Sequence, residues 1–309
     1  MFIDFKLNYM HVKVASVSNV IFFVALLALP QKTAAQDSVE GLIQVERDFA
    51  AFCGDNGLPE AWVKFFAPDG LVFQPHPKNA QEVNSAKIPS PKPAASTLYW
   101  EPYHGATSIG GDLGFNTGPW RITSNTSNGQ PPQYGYFFSV WKKQPSGEWK
   151  VLLDLGTTAP AAGPEHVFGA EYDIRKREAD NGKSKAESLE EADYLFNVMA
   201  TNGIKAAYQK MASTNLLSTI NGFHPFYNKR SFLSWISSEA SPYMKGAAIF
   251  STIDSGTSVS QDLGYSYGSY EINALMKEKG YFVRIWRRNP QGYWYLAAEI
   301  LSDNVKSRS

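Results

Sequence analysis

Two carboxylates and an imidazole are the residues of this chain that could move a proton: Asp48, Asp112 and His76. A carboxylate held near an imidazole can take a proton from one atom of a small organic substrate and return it to another. His104 is the alternative partner for either acid. Asp48 follows Glu46 by two residues, so on a helix the two point to different sides and at most one faces an interior. An acid buried there would have its pKa raised toward neutrality by desolvation, whereas one on the solvated face would only cap or pair. Asp112 enters an apolar segment beside glycine, where a carboxylate commonly accepts backbone N–H groups at a strand start or bulge, and this structural role outweighs the catalytic one. His76 precedes Pro77, which holds it in an extended loop.

Other chemistry is thinly represented. No second His or Cys stands at metal-ligand spacing from His76 or His104, so no metal is expected. Phosphate loops, nucleophile elbows and paired-cysteine motifs are missing, and no cofactor is implied. The single cysteine, Cys53, lies on a predicted amphipathic helix and reads as packing rather than a nucleophile.

Most of these residues occur twice. Asp112-Leu113-Gly114-Phe115 recurs as Asp262-Leu263-Gly264-Tyr265, an offset of 150. Gly135-Tyr136-Phe137 through Trp149 recurs as Gly280-Tyr281-Phe282 through Trp294, an offset of 145. Glu46 and Asp48 match Glu191 and Asp193 at the same 145, and His76-Pro77 matches His224-Pro225 at 148. A period this long makes each copy a whole domain rather than a solenoid unit.

Within each copy, Asp37-x-x-Glu40 and Ser188-x-x-Glu191 have capping-box spacing and open a helix with one apolar face. A short second helix follows over 59–66 and 204–212, after Asn56-Gly57 and Asn202-Gly203. The remainder is strand-like: 98–101, 109–124, 134–144 and 148–157, then 248–253, 259–273, 281–289 and 293–301. Helices followed by a meander of strands predict an α+β fold, a curved antiparallel sheet wrapped around N-terminal helices in each copy. The domains are expected at 36–157 and 188–305. Residues 158–187, Ala/Pro/Gly-rich and then mixed in charge, form the linker.

The N-terminus predicts export. Lys6 and Lys13 precede the ten-residue apolar run Val20–Leu29, then Pro30 and the small residues Ala34-Ala35, so residues 1–35 read as a signal peptide cleaved near Ala35. A spanning helix needs about 20 apolar residues, so no stable membrane anchor is expected. Met10 is an alternative start, and the mature protein would be periplasmic or secreted. Without 1–35 the chain carries 26 Lys+Arg against 28 Asp+Glu, a balance that argues against a nucleic-acid partner.

Trp100-Glu101-Pro102, Gly111-Asp112-Leu113-Gly114, Val140-Trp141-Lys142 and Trp149-Lys150-Val151 together resemble the SnoaL-like group, a branch of the ketosteroid isomerase and nuclear transport factor 2 superfamily. Its nearest part is a set of exported bacterial domains of unassigned function. The resemblance spans nearly all of 38–157 and, more loosely, 188–303. It implies two tandem cone-shaped domains, each with an apolar cavity, packing as a pseudo-dimer, with further self-association possible. The steroid-isomerase base position falls on Gln74 and Ile220, which cannot serve as bases, and the oxyanion-hole positions fall near Asp48 and Ser139, then Asp193 and Arg284. Neither copy keeps that set.

Aromatic residues make up 14% of the chain, enough to line a cavity with rings. In copy one the candidates are Trp62, Phe66, Phe73, Trp100, Phe115, Trp120, Phe138 and Trp141; in copy two they are Tyr208, Phe250, Tyr265 and Trp286. Strand alternation sends about half of them inward and the rest toward the partner domain. The sequence reading is therefore an exported module binding a small apolar or aromatic organic ligand. An acid–base isomerase, lyase or hydrolase comes next, and a structural module with filled cavities third.

Overall fold

The computed structural model describes residues 38–91, 94–126, 129–161, 172–173, 184–238, 241, 246–273 and 277–303. The expected leader and most of the expected linker lie outside them.

The first half opens with α1 (Val39–Asn56), capped by Ser38, whose hydroxyl accepts the Gly41 N–H. The cap is thus one residue later than the Asp37 box predicts. Gly57, at φ 111°, takes the left-handed turn into α2 (Leu58–Phe65). Then come β1 (Phe66–Phe73), β2 (Pro77–Asn79), α3 (Ala80–Ser85), β3 (Ser96–Trp100), β4 (His104–Thr107), β5 (Leu113–Ser124), β6 (Gln133–Lys143) and β7 (Trp149–Ala159). After β8 (Tyr172–Asp173) the second half repeats the plan. It comprises α4 (Leu189–Asn202), α5 (Ile204–Met211), β9 (Ala212–Ile220), α6 (Lys229–Ile236), β10 (Ala247–Thr257), β11 (Leu263–Asn273), β12 (Lys277–Arg288) and β13 (Trp294–Asp303).

The strands form two sheets, ordered β2-β1-β7-β6-β5-β4-β8, with β3 also on β5, and β10-β11-β12-β13-β9. They are mixed rather than wholly antiparallel. β1 runs parallel to β7, and β9 parallel to β13. The sequence reading missed β1 and β9 because Phe66-Ala67-Pro68-Asp69-Gly70 looks like a loop. Parallel pairing is possible because the whole β2–β6 segment acts as the crossover.

Each half has its own inner core between helices and sheet. Phe49, Trp62, Phe66, Trp100 and Trp141 belong to the first, and Phe196, Tyr208, Phe250, Phe282 and Trp286 to the second. A third apolar cluster lies between the halves and joins outer sheet faces: Phe115, Phe138, Val140 and Leu155 meet Tyr265, Tyr267, Val283 and Ile300. Strand alternation separates these sets, Asn116, Ser139 and Trp141 facing in while Phe115, Phe138 and Val140 face out.

The repeated Asp-Leu-Gly has two jobs. A Cβ on Gly114 would collide with Leu42, and one on Gly264 with Leu189, so glycine lets α1 and α4 lie down on their sheets. Asp112 and Asp262 reach across the halves instead. The Val259 N–H donates to Asp112 Oδ2 at 2.8 Å, and the Ile109 N–H donates to Asp262 at 3.1 Å. His76 Nδ1 meets the Tyr281 hydroxyl at 2.8 Å, and His224 Nδ1 meets that of Tyr136 at 3.0 Å. Such exchange, in which a residue of the first half meets a partner in the second while the repeat of that residue meets the repeat of that partner, is how an isologous interface is built.

Candidate functional site

A cavity of about 920 Å³ lies inside the first half, with Asn221, Tyr281, Ser302 and Asp303 of the second half contributing to its lining. Rings form much of its wall: Phe49, Trp62, Phe73, Trp100, Trp120 and Phe137. Two carboxylates, Asp154 on β7 and Asp303 at the end of β13, also face it.

Behind that wall stands Glu46. It sits on the buried face of α1 and is fully buried; its carboxyl accepts the indole N–H of Trp100 and of Trp141, both at 2.8 Å. Burial pushes its pKa up to about 8; the two indoles pull it down, and Asp154 nearby adds to the rise. Asn116, whose Nδ2 also donates to Leu42 O, lowers the Glu46 pKa slightly as a further hydrogen-bond partner. Asp154 is pushed up by burial to about 6, and Ser139 Oγ, donating to it at 2.8 Å, pulls it down.

The second half has the same parts in a different state. Strand register pairs Ser139 with Asp154 and Arg284 with Glu299, so Arg284 stands where Ser139 does and Glu299 where Asp154 does. Helix α4 brings Asp193 to the place of Glu46, an offset of 147. The 145 offset of the sequence reading had instead aligned Asp193 with Asp48. Arg284 is fully buried. Its Nη1 donates to Asp193 Oδ1 at 3.0 Å and to Asn197 Oδ1 at 2.8 Å, and its Nε lies 3.5 Å from Glu299 Oε2. Phe196, Phe250 and Phe282 surround the guanidinium with ring centres 4.1–4.2 Å from its carbon. Burial raises the Glu299 pKa, while Arg284 and the hydroxyls of Tyr208 and Ser218 draw it back. Asp193 is one methylene shorter than Glu46, so Ser266 bridges, donating to Asp193 at 2.7 Å and accepting the Trp286 N–H at 2.9 Å.

The residues singled out from sequence therefore scatter. Asp48 is exposed on α1 and accepts from Gln44, because Glu46 and not Asp48 shares the buried face with Phe49. Asp112 lies at the clamp between halves, and His76 is exposed beside Tyr281; neither lines the cavity. His104 is largely buried against Tyr227, and burial lowers its pKa to about 4. The Cys53 thiol is buried and pushed up to about 11. Trp62, Phe73, Trp100 and Trp120 line the cavity. Phe66 and Trp141 are buried behind it, and Phe115, Phe138 and Tyr265 pack between the sheets. Tyr208 and Trp286 fill the second core, while Phe250 borders a smaller groove of about 490 Å³ beside α4.

Asp154 and Glu299 were not recognised from sequence. Their signal was an acid retained at the 145 offset amid apolar residues, Leu-Leu-Asp-Leu against Ala-Ala-Glu-Ile. Among the described residues, no group of three or more His, Cys, Asp or Glu could hold a metal ion, and no helix is long and apolar enough to cross a membrane.

No protein-family model matches the chain, and no curated protein matches it. Solved structures similar to part of it are nuclear transport factor 2-like or ketosteroid isomerase-like proteins of low identity. A nuclear transport factor 2-like protein of unknown function from Shewanella oneidensis is 15% identical, with a TM-score of 0.32, the alignment covering 37% of this chain and 96% of that one. A nuclear transport factor 2-like superfamily protein from Salmonella enterica is 14% identical, with 44% and 99% covered and a TM-score of 0.33. A putative ketosteroid isomerase from Parabacteroides distasonis is 16% identical, with 42% and 98% covered and a TM-score of 0.33.

Proposed function

We propose that this chain is an exported protein of two tandem cone-shaped domains, 36–157 and 188–305, packed as an internal pseudo-dimer. The first domain binds a small aromatic or apolar molecule, and the second is its filled structural partner. One contrast carries the reading: about 920 Å³ of ring-walled space in the first half, against a second half whose equivalent centre is occupied by Arg284. A cavity of this size, ring-walled on one side and carrying polar groups such as Asp154 and Asn221, suits a small organic ligand. Native mass spectrometry of protein from its own host tests this, with a retained small molecule as the expected result. Apo protein only, with no thermal shift across a broad metabolite panel, overturns it. Export rests on the leader-like residues 1–35, and N-terminal sequencing should begin at Gln36.

Asp154 favours a second reading, proton transfer on the bound molecule, because a cavity-facing carboxyl near 6 is poised as an acid–base group. Turnover would then be lost in Asp154→Asn and kept in Asp48→Asn.

A further inference from the structure

The two halves show one site in two states. In the second, a guanidinium is enclosed by Phe196, Phe250 and Phe282 and paired with Asp193 and Glu299. Each of those rings has a counterpart in the first half. Phe137 stands at the register position of Phe282, within the repeated Gly-Tyr-Phe. Trp100 pairs with Trp120 across strands as Phe250 pairs with Tyr270. Phe49 packs edge-on to Trp100 and Trp141 as Phe196 packs on Phe250 and Trp286. All three counterparts, Phe49, Trp100 and Phe137, line the open cavity, and so does Asp154, the counterpart of Glu299. The group that fills the second site is what the first lacks, since Ser139 replaces Arg284 and is too short to cross the space.

We propose that the cavity of the first half takes an organic cation whose guanidinium- or amidinium-type head occupies the place corresponding to the Arg284 guanidinium, paired with Asp154 and covered by Phe49, Trp100 and Phe137, its apolar body against Trp62 and Trp120. This rests on the ligand-binding reading and names its ligand class. Charge supports it independently of ring geometry. Among the described residues Asp154 has no ion-pair partner, and a carboxylate on an apolar wall is costly until a cation meets it. An aromatic face over a desolvated cation adds attraction that a neutral head does not receive.

The test is calorimetric titration of the full chain at pH 7.5 with three probes of one shape: naphthalene-2-carboxamidine, the carboxamide and the carboxylate. The amidine should bind at least about tenfold tighter than the amide, with the carboxylate weakest, as expected for a charge-assisted pair. In Asp154→Asn the amidine should fall to the level of the amide, whose own affinity changes little. Ser139→Arg, which installs the filling group of the second half, should block all three. If those variants do not fold, the wild-type comparison decides alone. Equal binding of amidine and amide by the wild-type chain overturns the cation proposal and leaves a ligand-binding cavity standing. Binding of none of the three overturns both.

Discussion

Replacing Arg284 by methionine keeps much of the apolar stem and deletes the charge. Asp193 and Glu299 are then left 3% and 0% exposed without their cation. Removing one member of a buried ion pair costs about 3–5 kcal/mol, and the lost stacking on three rings adds up to about 2 kcal/mol, the two overlapping because they describe one group. A loss of about 4–6 kcal/mol corresponds to a fall in Tm of roughly 10–20 °C for a folding unit of this size. Scanning calorimetry at pH 7.5 measures it. The penalty should shrink on acidification, with a definite sign. Burial already raises the Glu299 pKa, and losing Arg284 raises it further, so the charged-state cost arises above the unfolded carboxylate range and fades as pH falls toward it. Combining the change with Asp193→Asn and Glu299→Gln should restore most of the stability, since neutral replacements of a buried ionic cluster are often tolerated. A single Arg284→Met protein within about 1 kcal/mol of wild type at pH 7.5, well below the range expected for a broken buried pair, would refute the assignment of Arg284 as the counter-ion that fills the second half.

Glu46→Gln should change the pH profile of stability in the opposite half. Because the folded pKa of Glu46 is raised to about 8 from 4.5, the folded state holds more protons between those values, and wild-type stability should fall relative to the variant as pH rises through that window. The ceiling is about 5 kcal/mol, and a constant difference in urea midpoint stability from pH 5 to 8 would mean that Glu46 is ionised throughout. Asp112→Ala with Asp262→Ala should lower stability by about 2 kcal/mol, one cross-half acceptor each, while leaving ligand affinity unchanged. Loss of affinity or turnover at unchanged stability would restore a chemical role for Asp112. Gly54→Ala, on the open face of α1, should stabilise by about 0.5–1 kcal/mol, whereas Gly264→Ala should destabilise through its collision with Leu189, and thermal melts of the pair test the helix docking.

How much of this was legible in the sequence differs with the kind of signal. The two opening helices and the later strands of each half were, because they rest on caps, turns and periodicity that act locally, whereas β1, β9, α3 and α6 were not. Ser188-x-x-Glu191 places its cap as written, with the Ser188 hydroxyl accepting the Glu191 N–H at 3.1 Å. The direction of β1 and β9 was not, since parallel pairing is settled by crossovers of 75 and 73 residues and leaves no local mark. The destination of the rings was half legible. Strands buried on both faces lose the apolar–polar alternation that tells inside from outside, so Phe115 and Trp120 look alike in sequence although one packs between sheets and the other lines the cavity.

The same loss of contrast explains why the acids were misjudged. On an exposed helix Glu46 and Asp48 are equivalent candidates, and only the position of Phe49 against Trp100 decides which one turns inward. Inside a strand covered on both faces, a charge flanked by apolar residues is buried whichever way it points. Phe282-Val283-Arg284-Ile285-Trp286 carries such a charge, and so do Leu153-Asp154-Leu155 and Ala298-Glu299-Ile300. Isolated buried charges are too costly to persist, so one strand cation and one strand acid at neighbouring registers imply each other. The first half keeps the acid and drops the cation, and that imbalance between two copies of one sequence is the mark that separates an open site from a closed one.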